Sequence, residues 1–326
     1  MSFSFCNFPH RFNGILAGGY SGLSWAVDAL LISLVLTAVG DDSIASVLGI
    51  SMLHDGFAAL WLLLLLYFRG RVGQLSAITK SRDALFCMLG ALLGGPLAMT
   101  CYLLSISNVG VAVTTTVTAS YPLLGALLSV IVLKERVSRR TWIGLSVCLV
   151  GVVLTAYTPE QGGGEFTFSS LKYAMIAALG WASESVVCAY GMRSDKITPS
   201  TALLLRESTS AVSYLLVIML LGSGLVELKP IISVFSTSVS VLYLLALTAG
   251  VGMSSFLAWY SSIDAIGPAQ ALGLNITYSA WGDILSLLFL NQPFHISVFA
   301  GSLLVLLGVC YAMLPASKSS SSSINQ

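Results

Sequence analysis

Long apolar runs, separated by short breaks that contain charged residues, glycine or proline, make up most of the chain. The runs are continuous, whereas the strands of a membrane barrel would alternate apolar and polar positions over segments of about ten residues. A helix needs about 20 apolar residues to cross the hydrocarbon layer, which is close to the length of each run. The pattern therefore predicts an all-α membrane protein with ten transmembrane helices, near residues 14–39, 45–68, 83–106, 110–133, 141–158, 170–192, 200–222, 238–262, 268–290 and 295–315.

The composition excludes two classes of protein. Of 326 residues, 56% are hydrophobic and 9% are charged, and the mean hydropathy is +0.90. Soluble domains contain about 25% charged residues, so a water-soluble globular fold is excluded. The formal net charge is +1 and the sequence has no basic stripe, which excludes nucleic acid as a partner. Ten crossings use about 200 residues and leave little chain for a separate soluble domain.

The basic residues predict how the chain is oriented in the membrane. Twelve of the 15 Lys and Arg residues fall on the side of the N-terminus, Lys172 and Lys229 fall on the other side, and Arg206 lies inside the seventh span. By the positive-inside rule, both termini are cytoplasmic. We expect a multi-pass protein of a bacterial-type inner (plasma) membrane. The first apolar run is too long for a removed signal peptide and is counted as the first helix.

The two halves of the chain carry the same sequence pattern, which indicates an internal repeat. From residue 110 onward, the sequence matches the stretch from residue 267 onward at a fixed offset of 157. Trp25–Asp28 also matches Trp181–Glu184, and His54–Asp55 matches Arg206–Glu207. The predicted organisation is a first five-helix repeat (1–157), a linker with three consecutive glycines (158–169), a second repeat (170–315) and a serine-rich disordered tail (316–326).

A repeat of five helices has a topological consequence. Because five is odd, the second repeat must enter the membrane with the opposite orientation. Inverted repeats recur in secondary transporters, where a central site lies between the repeats and is exposed alternately to each side. A structural membrane protein does not need this arrangement, so the repeat favours a transporter.

Several short motifs resemble a known family. They are Gly180–Val186 in the sixth helix, His54–Asp55 in the second, Gly94–Pro96 in the third, and Gly273–Asn275 with Tyr278 and Trp281 in the ninth. Through these residues, the chain resembles the EamA type of the drug/metabolite transporter superfamily over residues 12–315, and within it the bacterial choline-uptake permeases. The resemblance implies ten helices in two such repeats and choline as the substrate. Asp283 departs from the pattern, in which we expect a neutral residue.

Two tryptophans each share a predicted helix face with an acid. Trp25 precedes Asp28 by three residues, and Trp181 precedes Glu184 by three. An indole face attracts a quaternary ammonium by about 0.5 to 2 kcal/mol, and a carboxylate balances its charge. The alternative is that these rings have packing or interfacial roles. The candidate substrate-binding residues are Trp25, Tyr102, Tyr121, Trp181, Glu184, Trp259, Asn275, Tyr278 and Trp281.

Ionisable residues inside the predicted spans are a second candidate feature. Each costs about 2.5 to 3.5 kcal/mol at the centre of a bilayer, so their presence calls for a function. The candidates for coupling transport to protons are Asp28, His54, Asp55, Glu184 and Asp283. The alternative is a structural ion pair of Arg206 with Glu207 or Asp55. Adjacent helical residues point about 100 degrees apart, so we do not expect His54 and Asp55 to contact each other directly.

The sequence as a whole predicts a permease rather than an enzyme. It would import a small organic cation, best matched by choline or another quaternary ammonium, with proton or membrane-potential drive. The alternative is an exporter of amino acids or related metabolites that uses the tyrosines and Asn275 for a zwitterion. A remote alternative is an intramembrane enzyme or a non-transporting assembly subunit, but no HExxH motif, CxxC pair or cofactor motif supports it. The expected partners are the cation, the lipid bilayer and protons, and a homodimer is left open.

Overall fold

In the computed structural model, the described residues are 8–41, 43–109, 111–156, 168–194, 196–220, 226, 228–289 and 295–314. All regular structure within them is helical. The helices are α1 (Phe8–Val39), α2 (Ile44–Phe68), α3 (Leu75–Ile78), α4 (Arg82–Leu92), α5 (Ala98–Val109), α6 (Val111–Thr118), α7 (Tyr121–Leu128), α8 (Arg139–Ala156), α9 (Phe168–Gly191), α10 (Pro199–Leu220), α11 (Lys229–Thr237), α12 (Val239–Ile266), α13 (Pro268–Asn275), α14 (Tyr278–Phe289) and α15 (Ile296–Met313). The predicted tail, and the predicted linker except its last two residues, lie outside the described residues.

Eight helical segments in the described part of the chain are long and apolar enough to cross a membrane. One of them joins α4 to α5 through a π-helical segment, Leu93–Leu97, and another contains α7 and ends in a second π-helical segment, Ser129–Leu133. The two further predicted spans correspond to α8 and to the pair α13 and α14. The predicted all-α class is confirmed, and the number of ten crossings stays a prediction.

Two predicted spans are interrupted at equivalent points. α6 is separated from α7 by Ala119–Ser120, and α13 is separated from α14 by Ile276–Thr277, at the same offset of 157 as the sequence repeat. Ser120 Oγ and Thr277 Oγ1 each donate to a backbone carbonyl three residues earlier, at 2.7 Å. Such bonds compete with the helical backbone pattern. The hydrophobicity of these spans is continuous, so the sequence pattern predicted unbroken helices here.

Helices of one half pack mainly against helices of the other half. α1 lies along α12, and α9 lies along α4 and α5. α1 also contacts α14, as α9 contacts α7. Finally, α2 packs on α10 and α8 packs on α15. If each helix is replaced by its equivalent in the other half, every one of these contacts maps onto a contact that is also observed.

Glycines allow the closest of these helix contacts. At the crossing of α8 and α15, a Cβ atom added to Gly308 would lie 2.7 Å from the carbonyl oxygen of Gly144 and 2.8 Å from Cys148 Sγ. Real Cβ atoms do not approach other atoms so closely, so a larger residue at Gly308 would force the helices apart. The glycines of α1 that face α12 and α13 in the same way are Gly14, Gly18 and Gly22.

The connections contain features that hydrophobicity did not predict. α11 is a nine-residue helix between α10 and α12, and α1 begins at Phe8 rather than near residue 14. Between α1 and α2, the carboxylate of Asp41 accepts hydrogen bonds from the Ser46 hydroxyl at 2.7 Å and from the Ser43 N–H at 3.0 Å. These bonds, that of Ser46 first, lower the pKa of Asp41 below its usual value.

Candidate functional site

Six ionisable side chains from four helices meet inside the bundle. Each of these residues is at most 8% exposed, although ionisable residues are seldom fully buried. We call them the ion cluster, and its members are Asp28 of α1, His54 and Asp55 of α2, Glu184 of α9, and Arg206 and Glu207 of α10.

Arg206 is the centre of the ion cluster. Its Nε lies 3.0 Å from Glu184 Oε1, and its Nη1 lies 3.2 Å from Asp55 Oδ2 and 3.1 Å from Glu207 Oε2. Its Cζ also lies 4.3 Å from the centroid of the Phe256 ring, which is cation–π geometry. The alternative expectation, an ion pair of Arg206 with Glu207 or Asp55, is confirmed for both acids, and Glu184 forms a third pair. The Glu184 carboxylate thus has a counter-ion from the protein itself.

His54 connects two carboxylates. Its Nε2 lies 3.1 Å from Asp28 Oδ1, and its Nδ1 lies 3.3 Å from Asp55 Oδ1. The expectation that His54 and Asp55 do not contact each other is therefore wrong, because ring and carboxylate extend sideways and meet although their Cα–Cβ bonds diverge. A neutral imidazole has one N–H, so His54 donates to both acids only when its ring is protonated.

The charges of the ion cluster do not balance. With all four carboxylates ionised, they face one guanidinium, which leaves an excess of three negative charges when His54 is neutral (4 − 1) and of two when it is protonated (4 − 2). Uncompensated charge inside a protein or membrane is strongly unfavourable. The arrangement therefore favours the binding of protons or of a further cation.

Two glycines make room for the ion cluster. A Cβ atom added to Gly252 of α12 would lie 2.9 Å from Asp28 Oδ1, and one added to Gly94 would overlap the carboxylate of Glu184. Gly94 belongs to the π-helical segment Leu93–Leu97, and such segments occur frequently at functional sites. The Gly94–Pro96 motif thus gives Glu184 the space to reach Arg206.

The first aromatic group surrounds Trp181. Its ring centroid lies 5.4 Å from that of Tyr102 and 6.2 Å from that of Tyr121. The Tyr121 hydroxyl donates to Asn275 Oδ1 at 3.0 Å, and Asn275 Nδ2 donates to Ser21 Oγ at 3.0 Å. Four predicted site residues from four spans are therefore brought together.

The second aromatic group surrounds Trp25. Its ring centroid lies 6.3 Å from that of Tyr278 and 4.6 Å from that of Phe256. Phe256 also contacts the Trp259 ring at 5.9 Å. Because Phe256 stacks on Arg206 as well, it connects this aromatic group to the ion cluster.

Comparison with known proteins gives the family. The sequence profile of the EamA-like transporter family matches residues 12–157. The chain is 31% identical to protein LicB of Haemophilus influenzae over 227 residues, which cover 68% of this chain and 72% of LicB. The chain belongs to the EamA-like transporter family. As an EamA-like transporter, it is a multi-pass membrane protein of the drug/metabolite transporter superfamily.

A solved structure shares the fold of this EamA-like transporter. It is a crystal structure of a protein with 17% sequence identity, and the two superpose with a TM-score of 0.68. The match covers 92% of this chain and 96% of the other, so the likeness extends over nearly the whole of both folds.

Two predicted site residues of this EamA-like transporter lie apart from the rest. Asp283 Oδ2 accepts a hydrogen bond from Ser302 Oγ of α15 at 2.7 Å, and within the described ranges it forms no ion pair with the ion cluster. Trp281 makes no ring contact with either aromatic group in that same part of the chain. The other predicted site residues belong to the ion cluster or to an aromatic group.

Two site residues were missed by the sequence analysis. Phe256 stacks on Arg206, and the Tyr260 hydroxyl donates to Glu184 Oε1 at 3.4 Å. Gly252, Phe256 and Tyr260 are spaced four apart on α12 and share one helix face. That spacing was a usable signal, but none of the three residues is an acid, and the three do not recur as a motif in the first half.

Proposed function

We propose that this EamA-like transporter imports a small organic cation of the quaternary ammonium class, with choline as the best match. It does so by alternating access through ten membrane helices in two inverted repeats, with both termini in the cytoplasm of a bacterial-type cell. The main support is the ion cluster, in which four buried carboxylates face one guanidinium and one imidazole.

The inverted-repeat part of the proposal is supported by packing and by the helix breaks. The main helix contacts map onto one another when the halves are exchanged. The breaks before Tyr121 and Tyr278 occur at equivalent positions of the fourth and ninth spans. Discontinuous helices of this kind form the central sites of many transporters built from inverted repeats.

The substrate class is supported by the surroundings of the ion cluster. A methylated ammonium has no N–H donors, so ring faces and diffuse negative charge are the groups that can attract it. Trp181 and Trp25 each belong to an aromatic group, and the second group contacts the ion cluster through Phe256. The amide of Asn275 and the Tyr121 hydroxyl can orient the alcohol of choline. Trp181, Asn275 and Tyr278, which belong to the motifs that resemble those of choline-uptake permeases, are part of these surroundings.

The charge of the substrate and of the ion cluster indicates what drives transport. An inside-negative potential favours inward movement of a monovalent cation by about 2.3 kcal/mol per 100 mV. Protons are the second candidate, because they can balance the excess negative charge of the ion cluster when no organic cation is present. Proton coupling predicts that uptake responds to a pH gradient at constant potential. An uptake rate that is indifferent to that gradient would leave the membrane potential as the drive.

Export of an amino acid or related metabolite is the second candidate function. The observation that favours it is the hydrogen-bonded series Tyr121, Asn275 and Ser21, whose donors and acceptors suit a zwitterion. An exporter of this kind would bind an amino acid and ignore tetramethylammonium, which offers no hydrogen bonds.

A binding measurement on the purified protein separates these functions. The ligands are choline, tetramethylammonium, a mixture of amino acids, and 3,3-dimethyl-1-butanol, in which a neutral carbon replaces the choline nitrogen. We expect the neutral analogue to bind about tenfold more weakly than choline or worse, equivalent to about 1.4 kcal/mol. Trp181→Ala should weaken choline binding, whereas Trp61→Ala, at a 42% exposed position on α2, should not. Equal binding of the neutral analogue, or binding of amino acids alone, would contradict the proposal.

A further inference from the structure

A cleft of about 200 Å³ lies between α1 and α14. Small side chains line most of it, and a Cβ atom added to Gly282 would have no other atom within 4 Å. This glycine is therefore not needed for close helix packing. The small lining residues are Ala26, Ala29, Ser33, Gly282 and Ser286.

The cleft lies next to the second aromatic group, along the same two helices. Ala29 follows Trp25 by four residues on α1, and Gly282 follows Tyr278 by four residues on α14. Residues four apart lie on the same helix face one turn along, so the cleft begins one turn beyond the two rings. The rings themselves lie 6.3 Å apart between the same two helices.

The equivalent place in the other half of the molecule is closed. The sequence repeat pairs Gly282 with Gly125 of α7, where an added Cβ atom would overlap the side chain of Leu272 and lie 3.6 Å from Ser185 Oγ. Ser185 is fully buried, whereas its repeat equivalent Ala29 is exposed. The contact between α7 and α9 is therefore filled where the contact between α1 and α14 is open.

Ser129 and Ser286 also differ in burial between the two halves. They occupy equivalent positions of the repeat, one turn after Gly125 and Gly282. Ser129 is fully buried, and Ser286 is half-buried beside the cleft. Two halves with the same sequence pattern thus differ in openness at matched positions, as alternating access requires of its two pathways.

We propose that the cleft between α1 and α14 is the entry path of the organic cation, and that the filled contact between α7 and α9 is the closed exit path. The proposal rests on the proposed function. With the N-terminus in the cytoplasm, the part of α1 beyond Trp25 runs toward the outer side of the membrane. The structure then represents a state open to the outside and closed to the cytoplasm.

Filling the cleft tests the path by transport. Gly282→Leu places a side chain in the cleft, and Gly19→Leu is the matched control, because a Cβ atom at Gly19 also has no other atom within 4 Å but lies outside the cleft. We expect Gly282→Leu to lower initial choline uptake by about tenfold or more, since each transported molecule passes this position. Gly19→Leu should stay within about twofold of the parent. Full uptake by Gly282→Leu would overturn the proposal.

Cysteine labelling tests the path without any substrate. Ser286→Cys and Ser129→Cys are compared in a protein in which Cys6 and Cys310 are replaced by serine, and intact cells receive a membrane-impermeant thiol reagent. We expect Ser286→Cys to react and Ser129→Cys to stay unmodified. Reaction of Ser286→Cys with a lipid-soluble maleimide only would show that lipid fills the cleft and would overturn the proposal. If the parent transports no choline but the labelling pattern holds, the entry path stands and the assigned substrate fails.

Discussion

Removal of the Arg206 guanidinium is the sharpest perturbation of the ion cluster. Arg206→Gln leaves Asp55, Glu184 and Glu207 without the cation that lies 3.0 to 3.2 Å from each of them. Breaking a buried ion pair by removing one partner typically costs about 3 to 5 kcal/mol. The contact with Phe256 adds about 0.5 to 2 kcal/mol. We therefore expect the free energy of unfolding to fall by at least about 3 kcal/mol.

The assay is unfolding of the purified protein by SDS in mixed micelles, followed by far-UV circular dichroism. Lys196→Gln, which removes an exposed cation, is the control and should change stability by less than about 0.5 kcal/mol. The double variant Arg206→Gln/Glu207→Gln removes one positive and one negative charge, so we expect it to recover part of the loss. If Arg206→Gln matches the control, the carboxylates of Asp55, Glu184 and Glu207 are not held together by an ionised guanidinium, and the charge argument for a cation site is refuted.

Three further predictions concern the helix contacts, the hydrogen bonds of the first aromatic group and the polar turn after α1. Gly308→Leu should lower the free energy of unfolding by about 1 to 3 kcal/mol or more through overpacking at α8, whereas Gly19→Leu should not, as measured in the same SDS titration. Tyr121→Phe leaves Asn275 Oδ1 without its donor and should cost about 1 to 3 kcal/mol in unfolding free energy; an unchanged value would show that the bond contributes nothing. The lowered pKa of Asp41 stabilises the fold at neutral pH, and this contribution is lost as pH falls through that lowered pKa. The free energy of unfolding of Asp41→Asn, measured from neutral pH to about pH 3, should therefore fall less steeply with acid than that of the parent. Identical pH profiles of the two proteins would contradict this role of Asp41.

The all-α class, and the convergence of most candidate residues on one region of the bundle, could be predicted because their signals are local or repeated. Apolar runs of membrane length identify the helices, and Trp25–Asp28 and Trp181–Glu184 stand out because the motif occurs twice. The repeat also matched His54–Asp55 with Arg206–Glu207, and the structure joins all four residues in the ion cluster.

Features that depend on contacts between helices could not be predicted from the sequence. The sequence made Glu184 a candidate ammonium ligand beside Trp181, whereas tertiary packing places its carboxylate on Arg206. Phe256 belongs to an ordinary apolar face, and its role depends on Arg206 reaching it from α10. The breaks before Tyr121 and Tyr278 depend on side-chain hydrogen bonds, which a hydropathy pattern does not record.

Uptake of labelled choline into proteoliposomes with an imposed inside-negative potential tests the central claim most directly. Parent protein, Trp25→Ala, Trp181→Ala and the control Trp61→Ala are compared at equal amounts of folded protein. We expect saturable accumulation by the parent and by Trp61→Ala. This accumulation should fall when the potential is dissipated, and it should be strongly reduced in Trp25→Ala and Trp181→Ala. Absence of saturable choline uptake by folded parent protein would contradict the central claim and favour the exporter of amino acids or related metabolites.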